Sequence, residues 1–83
     1  MMKNPALNNA ILKILARVDC GLRIETLQSE TAIAMNAPGM TSFEFASALD
    51  HLEDKGLVRQ WISIIGYRTW GITEAGRDAL KGL

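Results

Sequence analysis

Between Thr41 and Thr73 the sequence TSFEFASALDHLEDKGLVRQWISIIGYRTWGIT joins one amphipathic helix to a β-hairpin through a single glycine. Thr41-Ser42-Phe43-Glu44 has capping-box spacing, so the Thr41 hydroxyl can accept the Glu44 amide while the Glu44 carboxylate reaches back to the amide of Thr41. Phe45, Ala48, Leu49 and Leu52 follow as one apolar stripe at helical period. Lys55 falls in the last turn, where a cation suits the helix dipole, and Gly56 supplies a left-handed stop. Leu57-Val58 then opens a β-prone aromatic run that lasts to Ile72. A helix feeding a hairpin cannot bury both apolar faces alone, so the rest of the chain must supply the other side of a shared core.

That remainder is short. Eighty-three residues allow one domain, residues 1–83. Asn4 can cap a first helix with Pro5 in its first turn, where a missing amide costs nothing. Leu7, Ile11, Ile14, Leu15 and Val18 make its buried stripe, and Gly21 is the natural stop. Glu25 to about Met35 reads as a second helix with Leu27, Thr31, Ala34 and Met35 on one side, and Asn36-Ala37-Pro38-Gly39 as a turn. The third helix spans about Ser42 to Lys55. Opposite its apolar stripe lie Phe43, Ser47, Asp50 and Asp54, with His51 on the flank. In the hairpin, Val58, Gln60, Ile62 and Ile64 alternate with Arg59, Trp61 and Ser63, and Ile65-Gly66 is the expected turn. Thr73 caps a last helix, whose Leu80 packs on the core.

Two local motifs carry a family resemblance. Leu52-Glu53-Asp54-Lys55-Gly56-Leu57-Val58, followed by the hairpin and then Trp70-Gly71-Ile72-Thr73-Glu74-Ala75-Gly76-Arg77-Asp78-Ala79-Leu80, resembles the winged helix-turn-helix proteins. The match is to small bacterial transcriptional regulators of the MarR and PadR kind and covers roughly Ala6 to Leu80. The resemblance implies an α+β, mostly α fold: a three-helix core, a β-hairpin wing and a short C-terminal helix. It also implies a short strand at Leu22-Arg23-Ile24 that pairs with the hairpin, with Ile24 buried.

Charge divides the chain into blocks that its zero net charge conceals. Residues 1–24 hold Lys3, Lys13, Arg17 and Arg23 against Asp19, a net +3. Residues 25–54 hold Glu25, Glu30, Glu44, Asp50, Glu53 and Asp54 and no cation, a net −6. Residues 55–72 hold Lys55, Arg59 and Arg68 and no acid, a net +3. The hydrophobic share of 48% is that of a folded domain rather than a disordered one. A single cysteine, Cys20, excludes an internal disulfide framework and a Cys-rich zinc site. It fits a reducing compartment, and the expected location is cytoplasmic. The opening apolar run is broken by Lys13 and Arg17, unlike a signal peptide, and no stretch has the length to span a membrane.

The resemblance implies double-stranded DNA as partner, with the third helix in the major groove and the wing on the backbone or minor groove. The candidate contacts are Thr41 and Ser42 at the helix start, Ser47 and His51 on its face, and Lys55, Arg59 and Arg68 around the wing. The bidentate arginine that reads guanine most strongly is missing from this helix. Asp50 and Asp54 sit where DNA should lie and oppose phosphate. The bland expectation for Arg59 and Arg68 is that they are solvated cross-strand neighbours or pair with the acids of helix 3.

A docking surface for another protein is the second reading, with Phe43, Asp50 and Asp54 as its residues. Phe43 on a polar face suits an interface, and Trp61, Tyr67 and Trp70 crowd one hairpin. The simpler expectation for the tryptophans is packing, with at least one in the core and the indole N–H directed outward. Complementary charge blocks also permit a homodimer through the first helix or the wing. No enzyme is indicated: there is one His and one Cys, no phosphate loop and no nucleophile elbow, and no cofactor or metal is called for. Cys20 near a helix end reads as a small buried hydrophobe.

Overall fold

The computed structural model describes residues 5–18 and 20–82. Four helices and three strands follow in the order α1 (Pro5–Ala16), β1 (Leu22–Arg23), α2 (Ile24–Met35), α3 (Ser42–Asp54), β2 (Val58–Ile62), β3 (Arg68–Ile72) and α4 (Glu74–Lys81). Pro5 opens α1 as expected, while the Asn4 cap lies outside the described residues. Leu7, Ile11, Ile14 and Leu15 are buried, Val18 is half-buried, and Leu12 is buried as well. Leu12 widens the expected stripe because α1 is central, packing on α2, α3, α4 and β3. The helix ends at Ala16, well short of Gly21, which instead serves the turn into β1 with φ +76°.

Residue 24 belongs to α2 rather than to the preceding strand, and it is half-buried rather than buried. On α2, Leu27 and Thr31 are buried and Met35 is half-buried, but Ala34 is exposed. The Thr31 hydroxyl satisfies itself inside the core by donating to the Leu27 carbonyl at 2.7 Å. Asn36 ends the helix in the left-handed conformation at φ 52°.

The start and stop of α3 follow the sequence closely. The Thr41 hydroxyl accepts from the Glu44 amide at 3.1 Å, and Glu44 Oε1 accepts from the Thr41 amide at 3.3 Å. Phe45, Leu49 and Leu52 project into the core and are buried. At the other end the Gly56 amide donates to the Glu53 carbonyl at 2.9 Å and the Leu57 amide to the Leu52 carbonyl at 3.0 Å. This paired closure needs a left-handed residue, which Gly56 provides at φ +75°. The chain is thereby turned straight into β2.

The sheet is antiparallel in the order β1-β3-β2. Trp70 lies opposite both Leu22 and Gln60, and Thr69 opposite both Arg23 and Trp61. The alternation of strand side chains therefore makes two faces. Val58 and Trp70, with Leu22 and Ile72 beside them, join the helical core. Arg23, Arg59, Trp61, Tyr67, Thr69 and Gly71 belong to the other face. β2 ends at Ile62, so Ile64 is in the turn and not on the strand, where the alternation had put it. The Gly66 amide donates to the Ser63 carbonyl at 2.8 Å and the Ser63 amide to the Tyr67 carbonyl at 2.7 Å, which leaves Ile64 and Ile65 at the tip.

Thr73 closes the molecule. Its hydroxyl accepts from the Gly76 amide at 3.0 Å, capping α4, and donates to the Gly56 carbonyl at 2.7 Å. The end of α3, the start of β2 and the start of α4 thus meet at one side chain. Leu80 packs against the core as expected, and Arg77 donates to the Ala16 carbonyl at 3.2 Å, tying α4 to the end of α1. No helix among the described residues is long and apolar enough to cross a membrane.

Candidate nucleic-acid interface

Burying Phe45, Leu49 and Leu52 fixes which side of α3 meets solvent. Phe43, Asp50 and Asp54 are exposed on that side, and Ser47 and His51 are half-buried beside them. Phe43 is 78% exposed although it lies two positions from fully buried Phe45. Neither Asp50 nor Asp54 has an ion-pair partner among the described residues, and the His51 ring has no hydrogen-bond partner there. The face keeps its negative charge uncompensated.

The helix start is already engaged. Besides accepting from the Glu44 amide, the Thr41 hydroxyl donates to Glu44 Oε1 at 3.1 Å. Ser42 Oγ accepts from Gln28 of α2 at 3.5 Å. Lys55 is exposed at the helix end.

Arg59 and Arg68 are not cross-strand neighbours. The register sets Arg59 opposite Gly71 and Arg68 opposite Ile62, which places the two arginines on opposite faces of the sheet. Nor does either pair directly with an acid of α3. Arg68 Nη1 donates to Gln60 Oε1 at 2.6 Å, and Gln60 Nε2 donates to both Glu53 oxygens at 3.2 Å. Arg59 lies over the Trp61 ring, 4.7 Å from its centroid, and Arg23 over the Tyr67 ring at 4.2 Å. Sequence reasoning did not single out Arg23 or Gln60, because their partners come from a strand register that no local pattern states.

The wing tip is apolar. Ile64 and Ile65 are fully or largely exposed, and Ile62 and Tyr67 are exposed behind them. Of the tryptophans, Trp70 is in the core, yet its indole nitrogen is buried without a partner among the described residues instead of directed outward. Trp61 is half-buried on the opposite face of the sheet. Cys20 is exposed rather than buried, since the turn between α1 and β1 carries it outside the core. No group of three or more His, Cys, Asp or Glu among the described residues is placed to hold a metal ion.

A helix turned by glycine into a hairpin, backed by two further helices, is an arrangement shared with solved proteins. The structure is similar to a MarR-family transcriptional regulator from Silicibacter pomeroyi, with a TM-score of 0.74 and 26% identity over 93% of this chain. The chain has the winged helix-turn-helix fold. It is similar also to a PadR-family transcription regulator from Clostridium difficile, with a TM-score of 0.69 and 20% identity over 90% of this chain and 79% of that one. The winged-helix domain spans about half the length of the MarR-family chain, 47% of it. No protein-family model and no curated protein matches the sequence. Both solved neighbours are transcription regulators.

Proposed function

We propose that this winged-helix domain is a small cytoplasmic DNA-binding protein that regulates transcription. It contacts duplex DNA through Ser42, Ser47 and His51 of α3 and through Lys55, Arg59 and Arg68 at the helix end and hairpin. Thr41 acts mainly by holding the start of the helix. The supporting observation is the likeness across 93% of the chain to a MarR-family regulator, with the solvent face of α3 left open. The cation-only stretch from Lys55 to Ile72 supports it, since phosphate contacts supply a large part of such affinity. A homodimer is part of this reading.

The deciding experiment is fluorescence anisotropy of a labelled mixed-sequence duplex at low and moderate salt. Binding that weakens steeply with added salt is expected. An absence of binding at low salt would exclude the proposal. A second reading has its own support: Phe43, Asp50 and Asp54 form an exposed apolar-acidic face without internal partners. On that reading α3 docks a basic protein surface instead of DNA.

A further inference from the structure

We infer that β2 carries the seam of a homodimer. Its open edge pairs antiparallel with β2 of a second copy across a two-fold axis, and the two sheets become one. This rests on the homodimer in the proposed function and is independent of the DNA contacts.

The edge is open because of the register. Hydrogen-bonded pairs alternate along an antiparallel ladder. The Thr73 amide donates to the Leu57 carbonyl at 3.0 Å, and the Ser63 amide to the Tyr67 carbonyl at 2.7 Å. The register between them is unbroken, so Arg59/Gly71 and Trp61/Thr69 are the other pairs of that kind. The backbone groups of Val58, Gln60 and Ile62 therefore point away from β3, and no other described element takes them up. Exposed edges are ordinarily blunted by shortness, a lysine, a proline or a bulge. β1, at the other edge, is two residues long and runs straight into α2. β2 has five residues and no lysine, proline or bulge, and its one charge, Arg59, lies over the Trp61 ring.

The open edge is complementary to itself. An axis at Gln60 pairs Gln60 with its counterpart and Val58 with Ile62 of the second copy, each pair exchanging two backbone hydrogen bonds. Arg59 then stands opposite Trp61 of the second copy in a non-hydrogen-bonded pair, where cross-strand side chains are closest. A guanidinium and an aromatic face attract, so the contact that each chain makes internally is offered to the other on both sides of the axis.

The same register brings Ile64 beside Gly56 and Leu57 of the second copy. Ile62 and Ile64 are exposed, and a Cβ at Gly56 would meet nothing within 4 Å, so the isoleucine has room. An edge roughly 17 Å long with two isoleucines from each copy falls short of the roughly 800 Å² per partner of a standard interface, so the dimer is weak and exchanging. Only one edge of each sheet is open, and pairing closes at two copies.

The test is sedimentation equilibrium of the full chain over a wide concentration range, without DNA, joined to disulfide cross-linking. Ile62→Lys puts a charge against the apolar seam and should weaken the dimer by at least about tenfold while circular dichroism shows the fold retained. In a Cys20→Ser background, Gln60→Cys should form a disulfide-linked dimer under mild oxidation, because residue 60 meets its counterpart with Cα atoms about 5.5 Å apart. Ala79→Cys on α4 is the control and should link far more slowly. A wild-type dimer that Ile62→Lys leaves intact, or a Gln60→Cys variant that links no faster than the control, would overturn the β2 seam and leave the homodimer standing. A wild-type chain that stays monomeric at every concentration would overturn both.

Discussion

Gln60 Nε2 donates to both carboxylate oxygens of Glu53 at 3.2 Å, and this contact ties the first strand of the wing to the last turn of α3. The same amide passes the interaction on, because its carbonyl oxygen accepts from Arg68 at 2.6 Å. A cation on β3 and an anion on α3 are thus joined through a neutral group on β2. The angle between helix and wing is set by side chains as well as by the glycine closure at Gly56. Arg68, on the central strand, is drawn toward Gln60 on the same face of the hairpin.

Replacing Gln60 by leucine should break both contacts. The loss should be about 1 kcal/mol, the usual net value for partly exposed hydrogen bonds, or about 4–8 °C in melting temperature for a domain this size. Circular dichroism melts measure this. Amide exchange should also quicken along β2 while the α3 core keeps its protection. A variant with wild-type melting and exchange would show that the chain of contacts does not steady the wing.

Phe43 and Phe45 test the orientation of α3. Phe45 is fully buried and Phe43 is 78% exposed. Phe45→Ala should cost about 3–5 kcal/mol and lower the melting temperature by at least about 12 °C. Phe43→Ala should change stability by no more than about 0.5 kcal/mol, as surface positions generally do. A large loss from Phe43→Ala would mean that the helix is rotated from the orientation described.

The helix ends and the buried stripe of α3 could be read from sequence because their causes are local: a capping box, a period of 3.6 and a glycine stop. Thr73 was likewise readable as a cap, although its bond to Gly56 was not, since the two are far apart in the chain. The outer sheet face was unreadable for the same reason. Arg23 meets Tyr67 only because a two-residue strand adds to β3, and two residues give no periodicity. Cys20 misled because its position near a helix end says nothing about which way the turn carries it. Ile64 misled because strand alternation was continued through a turn that has no strong turn dipeptide.

Thr73 should be sensitive out of proportion to its size. Its hydroxyl both accepts from Gly76 and donates to the Gly56 carbonyl. Thr73→Ala removes an N-cap and a second hydrogen bond and should cost about 1–2 kcal/mol. Thr73→Ser keeps both hydrogen-bonding functions and should recover most of the loss in a denaturant melt. If serine fails to restore stability, the threonine methyl is responsible rather than the hydroxyl.

Asp50 and Asp54 separate the two functional readings most directly. Both are exposed on the open face of α3 and neither is paired among the described residues. With α3 against DNA, they repel phosphate. Asp50→Asn combined with Asp54→Asn should then strengthen duplex binding by about 1 kcal/mol at low salt, roughly five-fold, since exposed charges interact with energies of that order in total. The gain should shrink as salt is added, because it is electrostatic and screened. With α3 against a basic protein surface instead of DNA, the same changes should create no duplex binding and should weaken the protein complex. An anisotropy titration of the double variant beside wild type distinguishes the two, and unchanged duplex affinity at low salt would place the acidic face away from DNA.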